Sequence, residues 1–172
     1  VAEGFEAGGH NGRDETTTLC LIPNVRKHID IPLIAAGGIG TGSQILAAMA
    51  LGADGVQLGS RFAATQESSA NQLFKDTILN TNEGDTQLTL KELAPVRLIK
   101  NDFFNLIQEK YQQGTNAEEL NELLGRGRSK KGMFEGDLIN GELEIGQVAA
   151  LINSIPSVAE VFEELLSDYE KA

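Results

Sequence analysis

Two small-residue turns and one histidine carry the chemistry this sequence offers. Gly37-Gly38 follows the apolar run Pro32–Ala36, and Gly59-Ser60 follows Gly55–Leu58. Backbone N–H groups exposed at the same end of two parallel strands suit an anionic ligand, a phosphate above all. The histidine is His10, alone in the loop Glu6-Ala7-Gly8-Gly9-His10-Asn11-Gly12. Small residues on both sides let a ligand approach the backbone closely, and an imidazole there can act as base or hydrogen-bond donor near neutral pH. His28, beside Arg26 and Lys27, reads as a surface histidine at a helix end. No Cys/His grouping has zinc spacing, and the single Cys20 has no partner to make it a nucleophile.

These residues need rigid elements to bring them together. Ile31–Phe62 reads as strand, glycine turn, amphipathic helix over Ser43–Leu51, strand and second turn. Ahead of it, Val1–Glu3 reads as the tail of a buried strand. Thr16–His28 reads as a helix with Leu19, Ile22, Val25 and Ile29 on one side, interrupted by Pro23. Strands that are nearly all apolar, alternating with helices, predict a parallel sheet or barrel. A dinucleotide-binding fold competes for the glycine run, but Ser43 stands where the third glycine of that fingerprint belongs. Two turns at corresponding strand ends fit the last strands of a (β/α)8 barrel, where a phosphate sits between the seventh and eighth loops.

After Phe62 the pattern changes, and we expect a division near Gln66. Residues 1–66 form the βα portion and residues 67–172 a mainly helical C-terminal region. Helices are expected over Ala70–Leu79, Asn116–Leu124, Gln147–Ile152 and Ser157–Tyr169, the last with Ser157 as N-cap. Thr86–Leu90 alternates like a short strand, Val96–Ile107 begins extended and continues as a helix, and the basic, glycine-punctuated Gly125–Gly136 reads as a loop.

A net charge of −11, from 14 basic and 25 acidic residues, argues against nucleic acid as a partner. The acidic stretches Glu118–Glu122 and Glu160–Glu170 read as solvated helix faces. One cysteine makes no intrachain disulfide and fits a reducing, cytoplasmic setting. No apolar run reaches the roughly 18 residues of a membrane span, so no membrane partner is expected. The opening VAEGFEAGGH begins inside a ligand-rich motif without an initiator Met, which leads us to expect a piece of a longer enzyme.

EAGGHNG at Glu6–Gly12, IPLIAAGGIGTG at Ile31–Gly42 and GADGVQLGSRF at Gly52–Phe62 resemble the nitronate monooxygenase family, formerly called 2-nitropropane dioxygenase. That family is related to the flavin-containing enoyl-acyl-carrier-protein reductases of bacteria. RLIKN at Arg97–Asn101 and the Gly146-Gln147 pair are fainter echoes of it. The resemblance implies an FMN-binding TIM barrel whose last three strands end at Glu3, Ala36 and Leu58. It implies that Gly8, Gly37 and Gly38 approach FMN through backbone N–H groups, and that Gln57, Leu58, Gly59 and Ser60 hold its phosphate end. Where the family usually has Thr this chain has Ser60, which still supplies a hydroxyl. His10 matches the family's histidine, the catalytic base on nitroalkanes or an aid to nitronate oxidation. Glu3 matches a position near the flavin that is often Gln or Glu. A full barrel would need about five more βα units, which would supply the remaining flavin contacts.

Three functions follow as expectations. The first is FMN-dependent oxidation of alkyl nitronates with oxygen. In the second, NAD(P)H reduces FMN, which reduces an enoyl thioester. In the third, the chain is a non-catalytic half-barrel that binds a phosphate or a partner chain, whether the other half of the enzyme or a second copy in a homodimer.

Overall fold

The computed structural model describes residues 1–172. Its first layer is a parallel sheet in the order β1 (Ala2–Glu3), β3 (Ile34–Ala36) and β4 (Gly55–Gln57). Glu3 lies opposite Ala36, and Ala36 opposite Gln57. The three strands therefore end level, and the turns that follow them emerge side by side. The crossovers are the helices α1 (Thr18–Arg26) and α2 (Gly42–Ala50). Ile22, Leu33, Ala35, Ile39, Ala48 and Ala53 form the buried core between helices and sheet. Three of these six are alanine, which lets the helices sit close to the strands.

Pro23 lies inside α1 and does not end it. The carbonyl that its missing N–H would have met belongs to Leu19, which is 66% exposed. Water can satisfy that carbonyl, so the cost of the proline is limited. The same exposure corrects the expected apolar face, in which Leu19 does not take part.

A second, antiparallel sheet has the order β2 (Gly9–His10), β6 (Val96–Ile99) and β5 (Thr86–Thr89). Gly9 pairs with Arg97 and His10 with Val96, so the histidine loop is stitched to a strand far along the chain. Residues 67–172 thus carry a β-hairpin as well as helices α4 (Gln72–Leu79), α5 (Asp102–Gln112), α6 (Ala117–Leu124), α7 (Arg128–Met133) and α8 (Val158–Lys171). Between β4 and α4 lies the single turn α3 (Ser60–Ala63), and Gln147–Leu151 is a 3-10 helix. The expected loop at 125–136 is in fact built around α7. Two of its basic residues pair locally, Lys130 with Glu135 and Lys131 with Asp137, each at 3.0 Å.

α8 returns to lie on α2. Ser157 and Glu160 form a reciprocal capping box at its start, and Val161 and Leu165 are buried beneath it. Near its far end the Asp168 carboxylate accepts the Ser43 N–H at 2.9 Å. No helix is long and apolar enough to cross a membrane.

Candidate active site

The level strand ends open into a cavity of about 290 Å3. Gly8, Gly37, Gly38, Gln57, Gly59 and Ser60 all line it, six of the residues singled out by sequence. The N–H groups of Gly37, Gly38 and Ile39 after β3, and of Gly59 and Ser60 after β4, donate to no atom of the chain. No lysine, arginine or histidine lines the cavity. An anion here is therefore held by backbone dipoles, as in other nests of successive N–H groups.

The N-terminus of α2 is a less suitable anchor, because its donors are already taken. Gln44 Oε1 accepts from Gly40 and Thr41 N–H at 2.9 and 3.1 Å, Thr41 Oγ1 accepts from Gln44 N–H, and Asp168 takes Ser43 N–H. A phosphate on the helix dipole, as a dinucleotide fold would place it, meets a carboxylate instead. The glycines of the cradle are required by geometry. Gly37 has φ +89° and a Cβ there would lie 2.5 Å from the Gly4 carbonyl oxygen. Gly8 has no such torsional need, but its Cβ would sit 2.5 Å from the Gly146 nitrogen.

A scaffold of side chains fixes the histidine loop. Glu6 accepts the Thr18 N–H at 3.0 Å, so it caps the start of α1 and is committed to structure. Asn11 Nδ2 donates to the Ala7 and Gly9 carbonyls at 3.0 and 2.9 Å, closing the turn around His10. From below, Arg97, 2% exposed, donates through Nη2 to the Phe5 carbonyl at 2.8 Å and stacks on the Phe5 ring. Burial pulls the Arg97 guanidinium below its ordinary range, with Glu6 and Glu15 opposing that shift. Asn101 Nδ2 meanwhile gathers the carbonyls of Leu138 and Gly141 at 2.7 and 2.9 Å. The faint RLIKN echo is thereby explained as two structural anchors.

The Gly146-Gln147 echo has a comparable explanation. Gln147 N–H donates to the Glu6 carbonyl, and Gly146 N–H donates to Ser60 Oγ, both at 2.9 Å. Glu144, Ile145 and Val148, on either side of this pair, line the cavity from the far end of the sequence. His10 is exposed and does not itself line the cavity; it follows two residues after Gly8, which does. Leu58 points elsewhere: its side chain lines an apolar groove between α2 and α8. Glu3 does line the cavity, and partial burial pushes its carboxyl above the ordinary glutamate range.

Residues 1–168 match the model of the family described as nitronate monooxygenase. The chain belongs to the nitronate monooxygenase family. A probable nitronate monooxygenase of Staphylococcus haemolyticus is 43% identical over 119 residues, which cover 63% of this chain and 33% of that protein. The corresponding protein of Staphylococcus saprophyticus is 40% identical over 119 residues. Among solved structures, FabK from Thermotoga maritima superposes with a TM-score of 0.91 at 38% identity, covering 98% of this chain and 53% of that one. A nitroalkane oxidase from Streptomyces ansochromogenes superposes at 0.79 with 30% identity, covering 99% of this chain and 51% of that one. The chain thus spans about a third of the curated relatives and about half of these solved chains. The wall of this nitronate monooxygenase family member also includes Glu144 and Met133, which no sequence motif marks. Glu144 lies only two residues before the Gly146-Gln147 pair, the one local signal that could have led to it.

Proposed function

We propose that this chain is the phosphate-gripping, His10-bearing part of an FMN-dependent oxidoreductase that oxidises alkyl nitronates with oxygen. The observation that supports it most is the set of five unpaired N–H groups after two adjacent parallel strands, all on residues that line one cavity. That set fits the phosphate of FMN, with the Ser60 hydroxyl proton left to donate because its oxygen already accepts from Gly146. Bound FMN would accept an electron pair from the substrate and pass it to oxygen. The chain's own work is to fix that group by its phosphate, to keep Gly8 close to it, and to hold His10 at the rim as base or charge partner. Gln57 offers an amide toward the same cavity. We place the enzyme in the cytoplasm.

A second reading keeps the flavin and has NAD(P)H and an enoyl thioester as the reacting pair. It is kept because the likeness to FabK, at a TM-score of 0.91, exceeds that to the nitroalkane oxidase, at 0.79. Steady-state assays of the flavin-loaded protein separate the two. Nitronate-dependent oxygen uptake supports the first; NAD(P)H consumption that depends on an enoyl thioester, without such uptake, overturns it.

A further inference from the structure

One buried acidic group touches the cavity through a single hydroxyl. Ser129, in the first turn of α7, has Oγ 3.2 Å from Glu142 Oε2 and in hydrogen-bond contact with Glu144 Oε1. Glu142 is 7% exposed, whereas Glu144 lines the cavity. The other Glu144 oxygen lies beside Gly9, where a Cβ would come within 2.6 Å of it. Ile99 N–H donates to the Leu143 carbonyl and Leu98 bridges to Glu144, so this segment runs along the same edge of β6 that pairs with His10. Gly132 and Gly141 meet backbone to backbone, which fixes α7 and its serine against the two glutamates.

A hydroxyl has one proton and cannot donate to two carboxylates at once. One carboxyl must bring a proton of its own. Glu142 is the one removed from water: burial first, and then the neighbouring Glu144, push its carboxyl above the ordinary glutamate range, while Ser129, His10 and Arg128 oppose the shift. These are the charged and titratable groups that face it, from α7, from β2 and from its own segment.

We propose that Glu142, Ser129 and Glu144 form a proton relay, with Glu144 as a second acid–base residue of the cavity besides His10. Glu142 O–H gives its proton to Ser129 Oγ as Ser129 gives its own to the Glu144 carboxylate. One O–H bond breaks at Glu142, one forms and one breaks at Ser129, and one forms at Glu144; no electrons are exchanged, and the net charge of −1 moves from Glu144 to Glu142. Glu144 then presents an acidic proton to the cavity; once it has delivered that proton both carboxyls are ionised, and a proton that Glu144 next takes from substrate returns through Ser129 to Glu142 by the reverse sequence. Glu142 and Ser129 act through Glu144 and are positioning residues. The relay deepens the proposed flavin site by sharing its cavity, but its protonation does not require flavin.

Carbon-13 NMR titration of the glutamate-labelled chain, without flavin, tests the shared proton. Glu142 is expected to titrate above the ordinary glutamate value of about 4.3. Glu144→Gln, a change at an open wall that preserves side-chain shape, is expected to move that midpoint down toward the ordinary value. An unmoved Glu142 midpoint overturns the relay. In the flavin-loaded enzyme Ser129→Ala, which cuts the chain of hydroxyls and leaves Glu144 in place, is expected to lower turnover at least tenfold, with Ser129→Thr restoring it. Full turnover of Ser129→Ala overturns proton delivery. A chain that binds no flavin refutes the proposed function and leaves the titration to decide the relay alone.

Discussion

Ser60 Oγ accepts the Gly146 N–H at 2.9 Å, joining the turn after β4 to a segment 86 residues later. The bond ties the turn after β4 to the segment that carries Glu144 and Ile145 of the cavity wall. Under the proposed function Ser60 has two tasks, this structural bond and a hydroxyl proton for the phosphate. Ser60→Ala is expected to cost about 1 kcal/mol of stability from the unpaired Gly146 N–H. It should also weaken FMN binding, while Ser60→Thr keeps both. Denaturant titration and a flavin-binding isotherm on the three proteins check this; equal FMN affinity for the alanine variant contradicts the second task.

Gly37 is expected to tolerate no side chain. Its φ of +89° is unfavourable for other residues, and a Cβ would press on the Gly4 carbonyl oxygen at 2.5 Å. Gly37→Ala should lose about 1–2 kcal/mol or more from the left-handed backbone alone. Gly38, at φ +70° with Glu6 Cβ 3.1 Å from its own would-be Cβ, should respond to Gly38→Val with lowered flavin content. Thermal unfolding and the visible absorption of purified protein report the two effects. Unchanged flavin content in Gly38→Val contradicts the cradle.

His10→Asn should retain FMN, because His10 stands outside the cavity lining. Turnover should fall by about 10²–10⁴-fold, the usual contribution of a general base. Flavin loss in this variant, or an undiminished rate, contradicts the role assigned to His10.

Acid should loosen the segment that leads into Glu142. Asp137 accepts the Asn140 N–H at 2.8 Å and pairs with Lys131, and these, in that order of weight, hold its carboxyl down to about 2. A carboxyl lowered in the folded state stabilises it above its unfolded value near 3.8. That contribution is lost as pH falls through about 2. Asp137→Asn should flatten the dependence of stability on pH across this window. Unfolding midpoints measured between those two pH values check it, and an unaltered slope contradicts the assignment.

The parallel half of the fold was legible because its signals are local. Apolar runs ending in Gly37-Gly38 and Gly59-Ser60 specify strand, turn and register within a few residues. The cradle residues that line the cavity come from those same runs and from Gly8. What was not legible depends on contacts between distant segments. His10 belongs to a strand only because Val96 lies beside it, and nothing near His10 announces that partner. Leu58 alternates correctly for a strand but sits one residue past the last paired position, and its side chain falls into the α2–α8 groove. Helix α7 was hidden in a basic, glycine-rich run whose ion pairs become apparent only once Glu135 and Asp137 are placed. Glu144 looked like any glutamate of an acidic chain until Ser129 and Gly9 were found against it.

The most direct test of the central claim compares FMN with riboflavin, which lacks the phosphate, by amide NMR of the labelled chain. FMN is expected to shift the signals of Gly37, Gly38, Ile39, Gly59 and Ser60, and riboflavin at the same concentration is not. Equal shifts from both flavins, or FMN-induced shifts that spare these five amides, would contradict it.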